Sequence, residues 1–228
     1  MKNIKLVIFD LDGTLIDAYQ AIISSFNYAM RTLGYPKQKA LTIRRAVGWG
    51  DKNLLAPFLK RKEDINKALS IYRKHHEKSL LEGARILPGA RQLLIRLKKN
   101  NYKLAVASNR PTKFSLILIR HLKLERYFDY ILCADKLKQG KPHPDIINKI
   151  RHKFSLKPAQ ILYVGDMVID IQAGKRAKVK AIAISCCGSS TAEELKEERP
   201  YRLVKSIREP VSYTHLRAHE TVLELVCR

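Results

Sequence analysis

No apolar stretch of this 228-residue chain reaches the roughly 20 consecutive residues that a membrane-spanning helix needs, so no helical span is expected. The start also lacks a charged and then apolar leader and runs directly into strand-type residues, which predicts a cytoplasmic location. Cysteine is scarce: Cys133, Cys186, Cys187 and Cys227 show neither metal-ligand spacing nor a disulfide framework. Adjacent cysteines do not easily close a bridge, so reduced, structural thiols are expected. Acid is in short supply too, with 21 Asp and Glu against 44 Lys and Arg and a formal charge of +23. Such an excess favours anionic partners, nucleic acid among them, through steering and counterion release. Yet the basic runs Lys60–Lys62, Arg96–Lys99 and Lys175–Lys178 are scattered and lack the interleaved aromatics of a base-stacking surface. Decoration of solvated helix faces is therefore the plainer reading, with a nucleic-acid role as the alternative.

What is present is 46% hydrophobic residues, enough for one good core and a smaller accessory lobe. Strand-like runs at 5–9, 103–107, 129–133, 161–165 and 180–185 alternate with helical patterns near 88–100, 112–123, 144–154 and 169–178. That alternation predicts an α/β fold, a Rossmann-like parallel sheet covered by helices on both faces. Residues 16–83 interrupt it with helical material only. Ile22, Ile23, Phe26, Met30 and Leu33 recur at helical steps, Gly34-Tyr-Pro36 ends that helix, and further helices are expected near 38–47, 51–60 and 63–82. Pro88-Gly89 marks the return to the alternating pattern. Residues 211–228 are set aside as a non-native tail: Val211 to Thr221 reads as a translated transposon-type sequencing adapter, and Leu225-Val-Cys-Arg228 resembles its continuation. His215, His219 and Cys227 are accordingly not assembled into a metal site, and a few natural C-terminal residues are expected to be missing.

The most informative segment is Leu6-Val-Ile-Phe-Asp10-Leu-Asp12-Gly13-Thr14, where an apolar strand runs out into a glycine turn. Side chains two apart share a face of a strand, so Asp10 and Asp12 converge on one small anion or metal. One carboxylate can attack phosphorus while the other moves a proton at the leaving oxygen. An ionised Asp10 beside an anionic substrate then requires a cation and an ammonium close by. The chain supplies candidates for both at later strand ends. Ser108-Asn109 follows Tyr102–Ala107 and offers a hydroxyl and backbone amides, although the pair equally suits a helix N-cap before Pro111. Lys141 stands before Pro142 and just ahead of a predicted helix. Asp166 follows the strand-like Ile161–Gly165, and Asp170 lies four residues on, where an early-helix acid is favoured in any case.

These four segments, in this order and each at a strand end, resemble the haloacid dehalogenase-like (HAD) hydrolase superfamily, and within it the phosphoglycolate phosphatase branch. The resemblance covers roughly residues 1–210 and implies a HAD-like α/β core at 1–15 and 84–210, with an all-helical cap at 16–83. It implies that Asp10 is the nucleophile, Asp12 the general acid/base and Thr14 a hinge residue supporting Asp12. Ser108 and the amide of Asn109 would hold the phosphoryl group and Lys141 would neutralise it. Mg²⁺ would be ligated by Asp10, Asp166 and the carbonyl of Asp12, with Asp170 orienting that shell. In the cap, Arg44-Arg45-Ala-Val-Gly48-Trp49-Gly50 is the expected substrate loop, with Arg44 forking onto a substrate carboxylate or second phosphate. Trp49 departs from the small or polar residue expected between the glycines, so it equally suits packing inside the cap.

The implied activity is a Mg²⁺-dependent phosphomonoester hydrolase acting on a small phosphorylated metabolite, with 2-phosphoglycolate first among substrates. A phosphosugar mutase, a pyrophosphatase, a nucleotidase or a basic nucleic-acid-associated protein on the same scaffold are the alternatives. No membrane partner is expected, and the sequence sets no oligomeric state.

Overall fold

Leu6-Val-Ile-Phe9 is apolar at every position, as a strand buried on both faces must be, and it forms β1 (Leu6–Phe9) with all four residues buried. The computed structural model describes residues 4–207; the tail at 211–228 and its Cys227 lie outside the described residues. From β1 the chain passes through β2 (Ile16–Asp17) into α1 (Tyr19–Thr32), α2 (Ala40–Ala46), α3 (Asp51–Leu55) and α4 (Asp64–Gly83), and returns through β3 (Arg85–Ile86). It continues with α5 (Ala90–Lys99), β4 (Lys103–Ser108), α6 (Thr112–His121), β5 (Tyr130–Cys133), α7 (Asp145–Lys153), β6 (Ile161–Gly165), α8 (Val168–Arg176), β7 (Lys180–Ile184), α9 (Ala192–Glu197) and β8 (Arg202–Val204).

Six of these strands form one parallel sheet in the order β5-β4-β1-β6-β7-β8. The strand order reverses at β1, and open α/β sheets bind ligands beyond the carboxyl ends of the strands at such a switch point. Alternation along β1 divides the core between two layers. Val7 and Phe9 pack with Leu93, Leu97, Phe114 and Leu118 of α5 and α6, whereas Leu6 and Ile8 pack with Ile146, Ile150 and Ala173 of α7 and α8. No described helix is long and apolar enough to cross a membrane.

The helices α1–α4 close a core of their own around Phe26, Met30, Ile43, Leu55 and Tyr72, with Phe58 edge-on to Phe26 at 5.0 Å. The apolar stripe of α1 lies against the long α4, as its three- and four-residue spacing requires.

Three expectations are corrected here. Residues 16–83 are not purely helical, because Ile16 and Asp17 pair antiparallel with Ile86 and Arg85 where the chain leaves and re-enters the sheet region. Two residues are too few to show a period of two. The sheet also does not end at residue 184: β8 adds a sixth strand, whose three residues are mostly exposed at an edge and carry little apolar signal. Cys186 and Cys187 are joined as a disulfide. They lie in the irregular loop after β7, free of the alternation that sends neighbouring strand side chains to opposite faces. Cys133, by contrast, is a buried free thiol as expected.

Candidate active site

Beyond Phe9 the chain turns around Gly13, whose φ of 81° falls in the left-handed region that glycine adopts without strain. The Leu11 carbonyl closes the turn by accepting from the amides of Leu15 and Ile16. Asp10 extends the strand: its amide donates to the Val164 carbonyl at 2.9 Å, and its side chain is buried. Asp12 is half-buried. The carboxyl ends of β4 and β6 flank this turn, so the segments singled out in the sequence meet there.

Lys141 is buried with Nζ 2.7 Å from Asp10 Oδ1 and 2.7 Å from Asp170 Oδ1. Its loop is tied to the end of β4 by Asn109, which accepts from the Lys141 amide at 2.8 Å and donates to the Lys141 carbonyl at 2.9 Å. The same Asn109 amide group donates to the Gly48 carbonyl at 2.8 Å, so one side chain joins three segments. Ser108 Oγ accepts from the Arg110 amide at 3.2 Å.

Asp170 is spent on structure. Its Oδ1 accepts from Lys141 and from the Tyr163 hydroxyl at 2.7 Å, and its Oδ2 accepts from the amides of Asp166 and Met167 at 3.2 and 3.0 Å. Asp166 is different. Its Oδ1 accepts from the Thr14 hydroxyl at 2.6 Å, while its buried Oδ2 has no hydrogen-bond partner among the described residues. A Cβ at either Gly13 or Gly188 would strike that same oxygen, so the backbone around it is cut away for something other than a side chain. Asp10, Asp166 and Asp170 offer oxygens all within 4.8 Å of one another. A buried carboxylate oxygen without a partner, among hard oxygen donors, fits a divalent cation of the magnesium kind.

The charges show what a cation would offset there. Burial lifts the Asp10 carboxyl to about 7, with Lys141 opposing and Asp170 reinforcing the shift. Burial, then Asp170 and Asp10, raise Asp166 well above the ordinary carboxylate range. Burial alone would lower the Lys141 ammonium, but Asp10 and Asp170 reverse this and hold it above the usual lysine value. Between pH 3.8 and about 7 the folded chain thus keeps a proton on Asp10 that the unfolded chain releases. Its contribution to stability is full below the unfolded value and is lost as pH rises through the folded one. In EDTA, the stability of the wild-type chain should therefore decline across this window relative to Asp10→Asn, which cannot titrate there. Parallel melting profiles of the two proteins by calorimetry would show that Asp10 is not shifted.

The structure moves some expected residues elsewhere. Thr14 serves Asp166 and not Asp12, because the turn at Gly13 carries its hydroxyl to the end of β6. Gly48 and Gly50 line a cavity of about 60 Å³ beside Asp10 and Asp12. Trp49, 48% exposed, does not pack inside the helical layer and instead borders a wider groove of about 780 Å³. Arg44 does not reach the small cavity. Its guanidinium donates to the carbonyls of Cys187 and Gly188 at 2.6 and 3.3 Å and stacks over Tyr19 at 4.1 Å. The residue missed in the sequence is Arg110, which holds Asp12 by Nε at 2.8 Å and Nη2 at 2.7 Å. Its one sequence signal is its place directly after Ser108-Asn109.

An acid pair at the switch strand, a lysine bridging to it and a carboxylate cage at the next strand define a haloacid dehalogenase-like hydrolase. Residues 7–184 match the sequence profile of that family, haloacid dehalogenase-like hydrolase, and the chain belongs to it. Within the family it is a phosphatase similar to phosphoglycolate phosphatases. The relative from Pseudomonas fluorescens is 31% identical over 217 residues, covering 90% of this chain and 77% of that protein. The one from Nitrosospira multiformis is 32% identical over 181 residues, covering 76% and 80%. Among solved structures, one described as a predicted phosphoglycolate phosphatase from Haemophilus somnus superposes with a TM-score of 0.83 at 25% identity, covering 89% of this chain and 94% of that one.

Proposed function

We propose that this chain hydrolyses a short phosphomonoester by way of a phosphorylated Asp10, with Mg²⁺ as cofactor and 2-phosphoglycolate as the leading substrate. The observation that carries the reading is the contact of Lys141 Nζ with Asp10 Oδ1 at 2.7 Å at the end of β1, beside the unpartnered Asp166 oxygen. A buried ammonium that also pairs with Asp170 opposes the burial that raises the Asp10 carboxyl and offsets the charge of an arriving phosphate. Asp10 attacks phosphorus and the ester oxygen departs with a proton from Asp12. Asp12 then takes a proton from the water that releases phosphate from Asp10. The hydroxyl of Ser108 and the amide of Asn109 hold the phosphoryl oxygens. Asp10, Asp166 and the carbonyl of Asp12 would hold Mg²⁺, with Asp170 orienting that shell, and the ion would neutralise charge developing on the phosphoryl group.

The helices of residues 16–83 act as a cap over the core at 1–15 and 84–210, excluding bulk water during transfer. The similarity to phosphoglycolate phosphatases supports phosphoglycolate as the first substrate to test. Phosphate release should be assayed with Mg²⁺ and with EDTA across phosphoglycolate, sugar phosphates, nucleotides, pyrophosphate and a 3′-phosphorylated oligonucleotide. The expected result is metal-dependent release, fastest from phosphoglycolate. Phosphate retained in the product of a sugar phosphate would instead assign a mutase.

A further inference from the structure

Arg110 occupies the turn between β4 and α6, and only 8% of it is exposed. Its guanidinium is fixed on two sides. Nε and Nη2 grip the two oxygens of Asp12, and Nη1 lies 2.8 Å from His76 Nε2 on α4. His76 is buried, stacked on Tyr72 at 4.8 Å and edge-on to Phe114 at 5.2 Å. Burial, with Arg110 adding to it, pushes the His76 imidazole down to about 2, so the ring is neutral and its Nε2 accepts from the guanidinium. A guanidinium carries five N–H groups, and three of Arg110's are used in these contacts. Two donors remain on a cation that lines the small cavity.

The other lysine or arginine lining that cavity is Lys141, which is committed to Asp10 and Asp170. Asp51, a further acid of the lining, is matched by Arg73 at 2.6 and 3.1 Å. The two cations thus pair with different acids of the site. Lys141 faces the nucleophile, and Arg110 is bound to Asp12, the acid assigned to the leaving oxygen. With Asp12 serving the leaving oxygen, a group attached one carbon from it would meet Arg110, the cation bound to that acid.

We propose that Arg110 is the specificity-determining residue, reading a carboxylate on the leaving group and so selecting short phosphomonoesters that carry a second anion. This inference rests on the hydrolase reading above and reassigns to the core the role expected of Arg44 in the helical layer. Asp12 and His76 hold the planar fork before substrate arrives, which reduces the ordering needed on binding.

The test compares two substrates that differ by one charge, 2-phosphoglycolate and its carboxamide, with the full-length chain and Mg²⁺. A hydrogen-bonded charge contact predicts a kcat/KM preference for the carboxylate of roughly 10- to 100-fold in wild type. Arg110→Gln should slow both substrates, because Asp12 loses its partner, and should slow the carboxylate more, bringing the ratio to about one. Arg110→Lys should keep part of the preference, because it retains the charge and loses the fork. If Arg110→Gln does not fold, the wild-type ratio and Arg110→Lys still decide. Equal kcat/KM for both substrates in wild type overturns the inference, as does an equal loss on both in Arg110→Gln, which would leave Arg110 as a support for Asp12. Turnover that survives Asp10→Asn would instead overturn the hydrolase mechanism beneath it, while Asp10-dependent turnover without carboxylate preference removes only Arg110's role.

Discussion

Asp10→Asn should abolish phosphate release, by about 10⁴-fold or more, while the chain stays folded. The amide has nearly the shape of the carboxylate but cannot form the acyl phosphate, so the covalent route closes at its first step. Packing argues that the fold survives. Lys141 keeps its 2.7 Å contact to Asp170, and loss of one charge relieves repulsion among three buried acids. Melting temperature in EDTA should therefore hold steady or rise slightly at pH 8. Substantial Mg²⁺-dependent turnover by the variant would show that another residue attacks phosphorus.

Lys141→Met should be costly in both respects. The lysine is buried between Asp10 and Asp170, and the methionine has similar length without the ammonium. Removing one partner of a buried ion pair leaves uncompensated charge, at a cost of about 3–5 kcal/mol. Asp10 can escape by taking up a proton, so the loss should be larger at pH 8 than at pH 5. Urea melts at the two pH values, in EDTA, measure it directly. Activity should fall with stability, since the nucleophile also loses the charge that opposes its protonation. Unchanged stability at pH 8 would mean that these carboxylates are not charged together in the folded chain.

The parts of the site that were legible share one pattern. At 9/10, 107/108 and 165/166 an apolar run stops and a polar residue follows, so each strand end announces itself locally. A parallel sheet then gathers those ends along one edge, because every strand points the same way. Lys141 was legible from its place before a helix and not from its residue type, since the chain is rich in lysine.

The illegible parts are contacts between segments with no local mark. Arg110 meets Asp12 across 98 positions and His76 across 34. His76 is one of two adjacent histidines on α4, and its neighbour His75 also approaches Ser25, at 3.1 Å. Which of the pair meets Arg110 depends on the rotation of α4 against α1. Arg44 illustrates the converse. Its loop has the composition of a ligand-binding loop, yet its fork is taken by backbone carbonyls of the segment after β7, which no spacing rule connects to residue 44.

The linear order of residues by itself determined the alternating α/β core, the helical stretch within it and the acids at the strand ends. Those depend on periodicity and on turns, both of which are local properties of the chain. Tertiary structure alone decided that Asp166 keeps an unpartnered oxygen, that Thr14 serves it, and that a core arginine takes the place beside Asp12. The reason is that a buried charge must find its partner in space, and partners are chosen by the packing of helices on the sheet, which brings together residues far apart in sequence.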